Sequence, residues 1–399
     1  MRKLSFAALL AFAFSIPLED SLQFGVGRVS RVFGILALVT WVLTVAYDGR
    51  VRRSTAGLSC AALFVGWSLL SYFWSTVPTA TFSKVFTLVQ MLLVVWIVWD
   101  QTETQKDLTA LMRAFVFGSF AASAMTFLAA ATGKATEGSR FASNNAGPNN
   151  TGALLAVAVA MACYLIRQDP TYRFKVLYRV FLPIAMVALV LTASRTAVLS
   201  LAAGLAIIVV DFSRLTPKRV AGLAAVGVVA LGLAALYVPT KSVDRLATTQ
   251  SEISSGTLNG RTLYWHLSYK IFADNPVGGI GSGSFPEANL LLGDRGIVAH
   301  NAFLSILAEL GAVGEGLFLA TIGLAAWGLV DQPHDSRRAW LAMGVTWFIG
   351  ASALTWEVRK ITWFVLAVAL VQARVTWAER VASHDEADEA DAASVGSGP

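Results

Sequence analysis

Charge is what this 399-residue chain has least of: Lys, Arg, Asp and Glu make up 14% of it, against 56% hydrophobic residues and a mean hydropathy of +0.62. A water-soluble fold of this length needs far more surface charge, so that class is excluded. Cysteine is equally scarce. Cys60 and Cys163 both lie inside apolar blocks, which leaves no disulfide framework and no cysteine-based zinc site. There is no His-Glu-x-x-His run and no regular acidic pair to cage a divalent ion, so neither a metal nor another cofactor is expected. The glycine-rich stretch 278–283 lacks the Lys-Ser/Thr that completes a phosphate loop, and no solenoid-type repeat is visible. The net charge of +6 could invite nucleic acid, but the basic residues sit at the ends of apolar blocks and form no aromatic-interleaved groove.

What the chain does have is apolar length. Reading its runs against the roughly 20 residues that a bilayer crossing needs gives spans near 4–18, 32–47, 56–74, 85–99, 108–132, 150–166, 177–193, 196–210, 220–238, 301–330, 339–354 and 361–378. The fold class expected is an all-α polytopic membrane protein of about twelve transmembrane helices. The first segment follows Arg2 and Lys3, so a cleaved signal peptide is its rival; the many spans that follow favour a retained anchor. With the N-terminus inside, lysine and arginine fall about twice as often on the cytoplasmic flanks as in the short outer loops. Both termini are then cytoplasmic, and the long loop 239–300 is outside. The chain divides into nine helices over 1–238, that loop, three helices over 301–380, and an acidic tail over 381–399 that reads as disordered.

Within the loop, Thr262 to Phe272 places Leu263, Leu267 and Phe272 near one face of a short helix lying on the membrane surface. Gly278 to Phe285 reads as a flexible turn, and Ala299-His300-Asn301 leads directly into a long apolar helix, with Asn301 suited to cap it.

Three residues fall at the outer surface with chemistry to offer. Arg195, in Thr192-Ala-Ser-Arg-Thr, occupies a hairpin too tight to carry a permanent charge far into water. It either snorkels to the headgroups, pairs with a carboxylate such as Glu357, or lines a wet cavity. Arg261 begins the short helix, where the dipole opposes a cation and an anionic partner would relieve it; a solvated helix residue is the plainer reading. His300 ends the loop, as either an interfacial residue or a base. His266, beside Trp265, is the weaker histidine. Glu309 and Glu315 lie inside the span after His300, out of its reach by helical geometry, and are open to helix-pairing or proton-relay roles.

Taken in order, Ser194-Arg195-Thr196, Gly260-Arg261 with Trp265, Asp274-Asn-Pro-Val-Gly-Gly-Ile-Gly-Ser-Gly-Ser-Phe285, and His300-Asn301 with Leu304, Glu309, Leu310, Gly311 and Gly314 resemble the O-antigen ligase family. This family includes the ligases that attach polysaccharide to lipid A-core and the related Wzy-type polymerases. Arg140 to Asn149 is similar to an outer loop of the same family. The resemblance implies a GT-C-like glycosyltransferase of the bacterial inner membrane, metal-independent and inverting, with its active site facing the periplasm. Its donor would be an undecaprenyl-pyrophosphate-linked saccharide. Its acceptor would be lipid A-core for a ligase, or the end of a growing polysaccharide for a polymerase. Carried over position by position, Arg195 and Arg261 would bind the pyrophosphate and His300 would be the base, with Asn301, Arg140 and Glu309 in support. A transporter or flippase for lipid-linked oligosaccharide is the non-enzymatic rival; it predicts charges spread along a path through the membrane.

Overall fold

Apolar helices leave no backbone group unpaired in hydrocarbon, and the chain is built from them. The computed structural model describes residues 1–24, 27–136, 140–143, 146–209, 261–291 and 296–395. Its helices are α1 (Arg2–Ser15), α2 (Val29–Asp48), α3 (Ala56–Leu70), α4 (Pro78–Gln101), α5 (Gln105–Ala131), α6 (Pro148–Gln168), α7 (Tyr172–Leu191), α8 (Arg195–Val209), α9 (Arg261–Asp274), α10 (Phe285–Leu291), α11 (Ala302–Trp327), α12 (His334–Ala351) and α13 (Lys360–Val395). A two-residue hairpin, β1 (Gln23–Phe24) with β2 (Gly27–Arg28), is the one sheet among the described residues. Eight of the described helices are long and apolar enough to cross a bilayer, which makes this an all-α polytopic membrane protein. The expected span 220–238 and the polar loop segment 239–260 lie outside the described residues.

The helices pack in two groups. α1 lies beside α2 and α5, while α4 bridges α2, α3 and α13, and α3 lies along α11; on the other side α6, α7, α8 and α12 pack together. α6 is the axis of the second group. Its Ala153, Ala156, Ala158, Ala160 and Ala162 are fully buried, small residues that let neighbouring helices approach closely.

One end of the bundle gathers the turns that carry the candidate residues. Arg359 donates to Asp20 at 2.8 Å, Trp356 Nε1 to Asn150 Oδ1 at 3.0 Å, and the Thr76 amide to the Ile280 carbonyl at 3.0 Å. The opposite end has its own clamps. Arg2 bonds Asp48 at 2.9 Å, and Arg113 bonds Asp169 at 2.7 Å while lying over the Phe174 ring. Of the in-span charges, Arg113 is paired at one end and Glu309 at the other, while Glu315 has a buried oxygen without a hydrogen-bond partner.

Two expectations are corrected. The stretch 278–283 is a packed wedge rather than a flexible turn. α11 breaks at Gly311, with φ 66° and ψ −166°. The wedge takes up the backbone groups that the break frees: Ala312 N donates to Pro276 O at 2.8 Å, and Gly281 N to Glu309 O at 2.9 Å. Glycine is needed because the backbones touch. At Gly279, with φ 64°, a Cβ would sit 2.3 Å from the Glu309 carbonyl carbon. Gly279→Ala is expected to cost about 2 kcal/mol or more, read as a lowered melting temperature in detergent. An unchanged melting curve would show that the wedge can yield.

The second correction concerns the face of α9. Ser268 and Ile271 are its buried residues, with Tyr264 and Leu267 packed beside Ile271, whereas Leu263 is exposed. The protein surface over α11 claims a different stripe from the one hydrophobicity alone favours. α13 itself runs as helix from Lys360 to Val395.

Candidate functional site

The turn between α7 and α8 presents Arg195. Leu191 ends α7, and Ala193 adopts a left-handed φ of 47°, a conformation that L side chains rarely take and that turns the chain sharply. Ser194 follows, buried, with its hydroxyl receiving the Ala197 amide at 3.4 Å, so Arg195 is the first residue of α8. The turn is held from outside as well. Buried Arg140 donates from Nε to the Thr192 carbonyl at 2.9 Å and from a terminal nitrogen to Asn149 Oδ1 at 2.6 Å, and the Phe141 amide bonds the Leu191 carbonyl at 3.1 Å. Gly152 completes the seat, because a Cβ there would meet Thr192 Oγ1 at 2.7 Å and Ala197 Cβ at 2.8 Å. Arg140 thus organises the Arg195 turn.

His300 is positioned by similar means. It has φ 50°, and with Ala193 it is one of two non-glycine residues of left-handed φ among those described. Both precede a helix that opens on a motif residue. Asn301 caps α11, its Oδ1 accepting from Phe303 N at 3.0 Å and Leu304 N at 3.1 Å. The imidazole is partly buried and feels the charge of Arg261, which begins α9. Burial and then the charge of Arg261 hold His300 below its ordinary 6.5, so the neutral ring is favoured. Burial also pulls Arg261 down from the usual guanidinium range, since among the described residues it has no ion pair to offset desolvation. A partly desolvated cation near an imidazole whose charged form is disfavoured has the chemistry to meet an anion and to accept a proton. His266 is elsewhere: it is exposed, with Nδ1 2.8 Å from the Thr262 carbonyl of its own helix.

A third set of residues escaped the sequence reading. Lys84, one residue before the expected span 85–99, lies in the second turn of α4, which begins at Pro78. Its ammonium bonds Glu309 at 2.7 Å and Glu357 at 2.9 Å. The Gly283 amide also donates to Glu309 at 2.7 Å, and the Ser305 hydroxyl to Glu357 at 2.9 Å. Glu357 is therefore committed to Lys84 rather than standing as a partner for Arg195. Glu309 does not approach His300 along the helix; it anchors the glycine wedge to α4. The three charges line a cavity of about 350 Å³ whose wall includes Val298 and Ala299, directly before His300. The signal for Lys84 was a lone lysine at the start of an apolar run; placing that span's start at 85 hid it.

These parts form one connected end. The Arg195 turn is bonded through Arg140 to Asn149, the neighbouring Asn150 accepts from Trp356, and Glu357 joins Lys84, Glu309 and Ser305, which lies one turn beyond Asn301. No curated protein matches the chain. Residues 179–319, from α7 through the Gly311 break, match the family model described as O-antigen ligase, and the matched segment carries Arg195, Arg261 and His300.

Proposed function

We propose that the protein is an inner-membrane glycosyltransferase that moves a saccharide from an undecaprenyl-pyrophosphate carrier to lipid A-core, with the described end facing the periplasm and both termini cytoplasmic. The observation that carries this reading is the partly buried His300, its charged form disfavoured by burial and by Arg261, within the segment that matches the family model. His300 takes the proton of the acceptor hydroxyl as that oxygen bonds the anomeric carbon. The bond from that carbon to the pyrophosphate oxygen breaks on the opposite face, inverting the centre, and its electron pair leaves with the pyrophosphate. Arg195 and Arg261 receive the growing negative charge through paired donors of fixed geometry.

The same donor chemistry serves a polymerase, and one experiment separates the two. In a deletion host complemented with Arg261→Ala, long glycans that fail to join the core are the expected result and identify a ligase; single-unit glycans identify a polymerase instead. Normal glycans from a well-expressed variant overturn the assignment of Arg261.

A further inference from the structure

The cavity walled by Val298, Ala299, Lys84 and Glu357 continues into a second, larger one. Thr87, Thr355 and Val358 line both. The second is a groove of about 810 Å³ between α1, α2 and α4. Its wall is apolar, and Ile35 and Phe86, 56% and 60% exposed, face outward where hydrocarbon would lie, so it opens sideways into the membrane. Its rim at the site end is cationic, with Arg28, Arg31, Arg359 and Lys360. Two carboxylates answer these four cations: Glu19 takes Lys360 and approaches Arg28, and Asp20 takes Arg359 and Arg28. Arg31 has no ion pair among the described residues, and the rim keeps an excess of positive charge. At the inner end, Glu357 is 1% exposed and its Oε2 has no hydrogen-bond partner. A buried carboxylate oxygen left bare is costly unless a donor such as a sugar hydroxyl meets it.

We propose that groove and cavity together seat the acceptor, a membrane-anchored phosphorylated glycolipid: acyl chain along α2 and α4, phosphates on the Arg28–Arg31 rim, and a glycan hydroxyl on Glu357 beside His300. The inference rests on the glycosyl-transfer reading above. Charge complementarity selects an anionic lipid. Position separates it from the donor, because Arg195 belongs to the group of α6, α8 and α12, whereas the groove belongs to the group of α1, α2 and α4. The two substrates therefore approach His300 from different sides, one through each helix group.

The test uses the full chain in nanodiscs, with native mass spectrometry for binding and a reconstituted transfer assay. The probes are lipid A, its dephosphorylated form, phosphatidylglycerol and undecaprenyl phosphate. Arg31→Glu changes an exposed, unpaired side chain, and Ile35→Trp fills the groove from the lipid side. Both are expected to weaken lipid A binding and to raise the KM for lipid A-core about tenfold, with kcat and donor KM unchanged; the dephosphorylated lipid should lose the same discrimination. Wild-type lipid A binding by both variants overturns the proposal. So does equal displacement by phosphatidylglycerol, which marks annular lipid only, or a preference for undecaprenyl phosphate that Arg31→Glu removes. A His300→Ala control keeps the two readings apart: retained transfer there defeats the catalytic assignment, while the binding measurement still decides the groove.

Discussion

His300→Ala is expected to reduce transfer by about 10²–10⁴-fold with donor binding retained, the loss that follows removal of a positioned base. The backbone supports so specific a role. A left-handed φ at a histidine is costly, and it is maintained here between buried Ala299 and the Asn301 cap. The pH profile offers a sharper check than the rate alone. Burial, and then the Arg261 charge, favours the neutral imidazole. The base works only when neutral, so the rate is full above the folded-state pKa and falls as pH drops through it. The acid limb of kcat/KM is therefore expected below the ordinary 6.5. Arg261→Gln removes the cation and should move the limb upward while raising donor KM. A wild-type limb above 6.5, or one that Arg261→Gln leaves in place, would count against His300 as the base.

Lys84→Met is expected to destabilise the protein by about 3–5 kcal/mol, because it strands two buried carboxylates. Glu309 and Glu357 have side chains only 3% and 2% exposed, and Lys84 is the one cation bonded to both. The wedge should loosen as well, since Glu309 is the group that ties Gly283 to α4. Replacing all three, as Lys84→Met with Glu309→Gln and Glu357→Gln, removes the stranded charge and should recover most of the lost melting temperature. A single variant as stable as the wild type, or a triple variant no better than the single, would show that the cluster is not the closed electrostatic unit described here. Because Glu357 also lines the proposed acceptor seat, the rescued triple variant should fold yet transfer poorly.

Sequence was sufficient where the physics is local. A bilayer imposes a length on apolar runs, so α2, α3, α5, α6, α8 and α11 could be placed within a few residues of their observed ends, whereas α4 begins well before the expected 85 and α13 runs well past the expected 378. Asn301 announces a cap by its own chemistry, and the order of Arg195, Arg261 and His300 carries the family likeness without reference to space. Tertiary structure decided whatever depends on partners distant along the chain. Lys84 is 225 residues from Glu309 and 273 from Glu357, and no periodicity links them. The glycines of 278–283 look like flexibility when read alone. They are close approach, required because the break at Gly311 presents bare backbone groups that only a side-chain-free strand of chain can reach. The two proposed routes to His300 likewise depend on α4 packing with α2, α3 and α13 while α8 packs with α6 and α12, a partition set by contacts between helices distant along the chain.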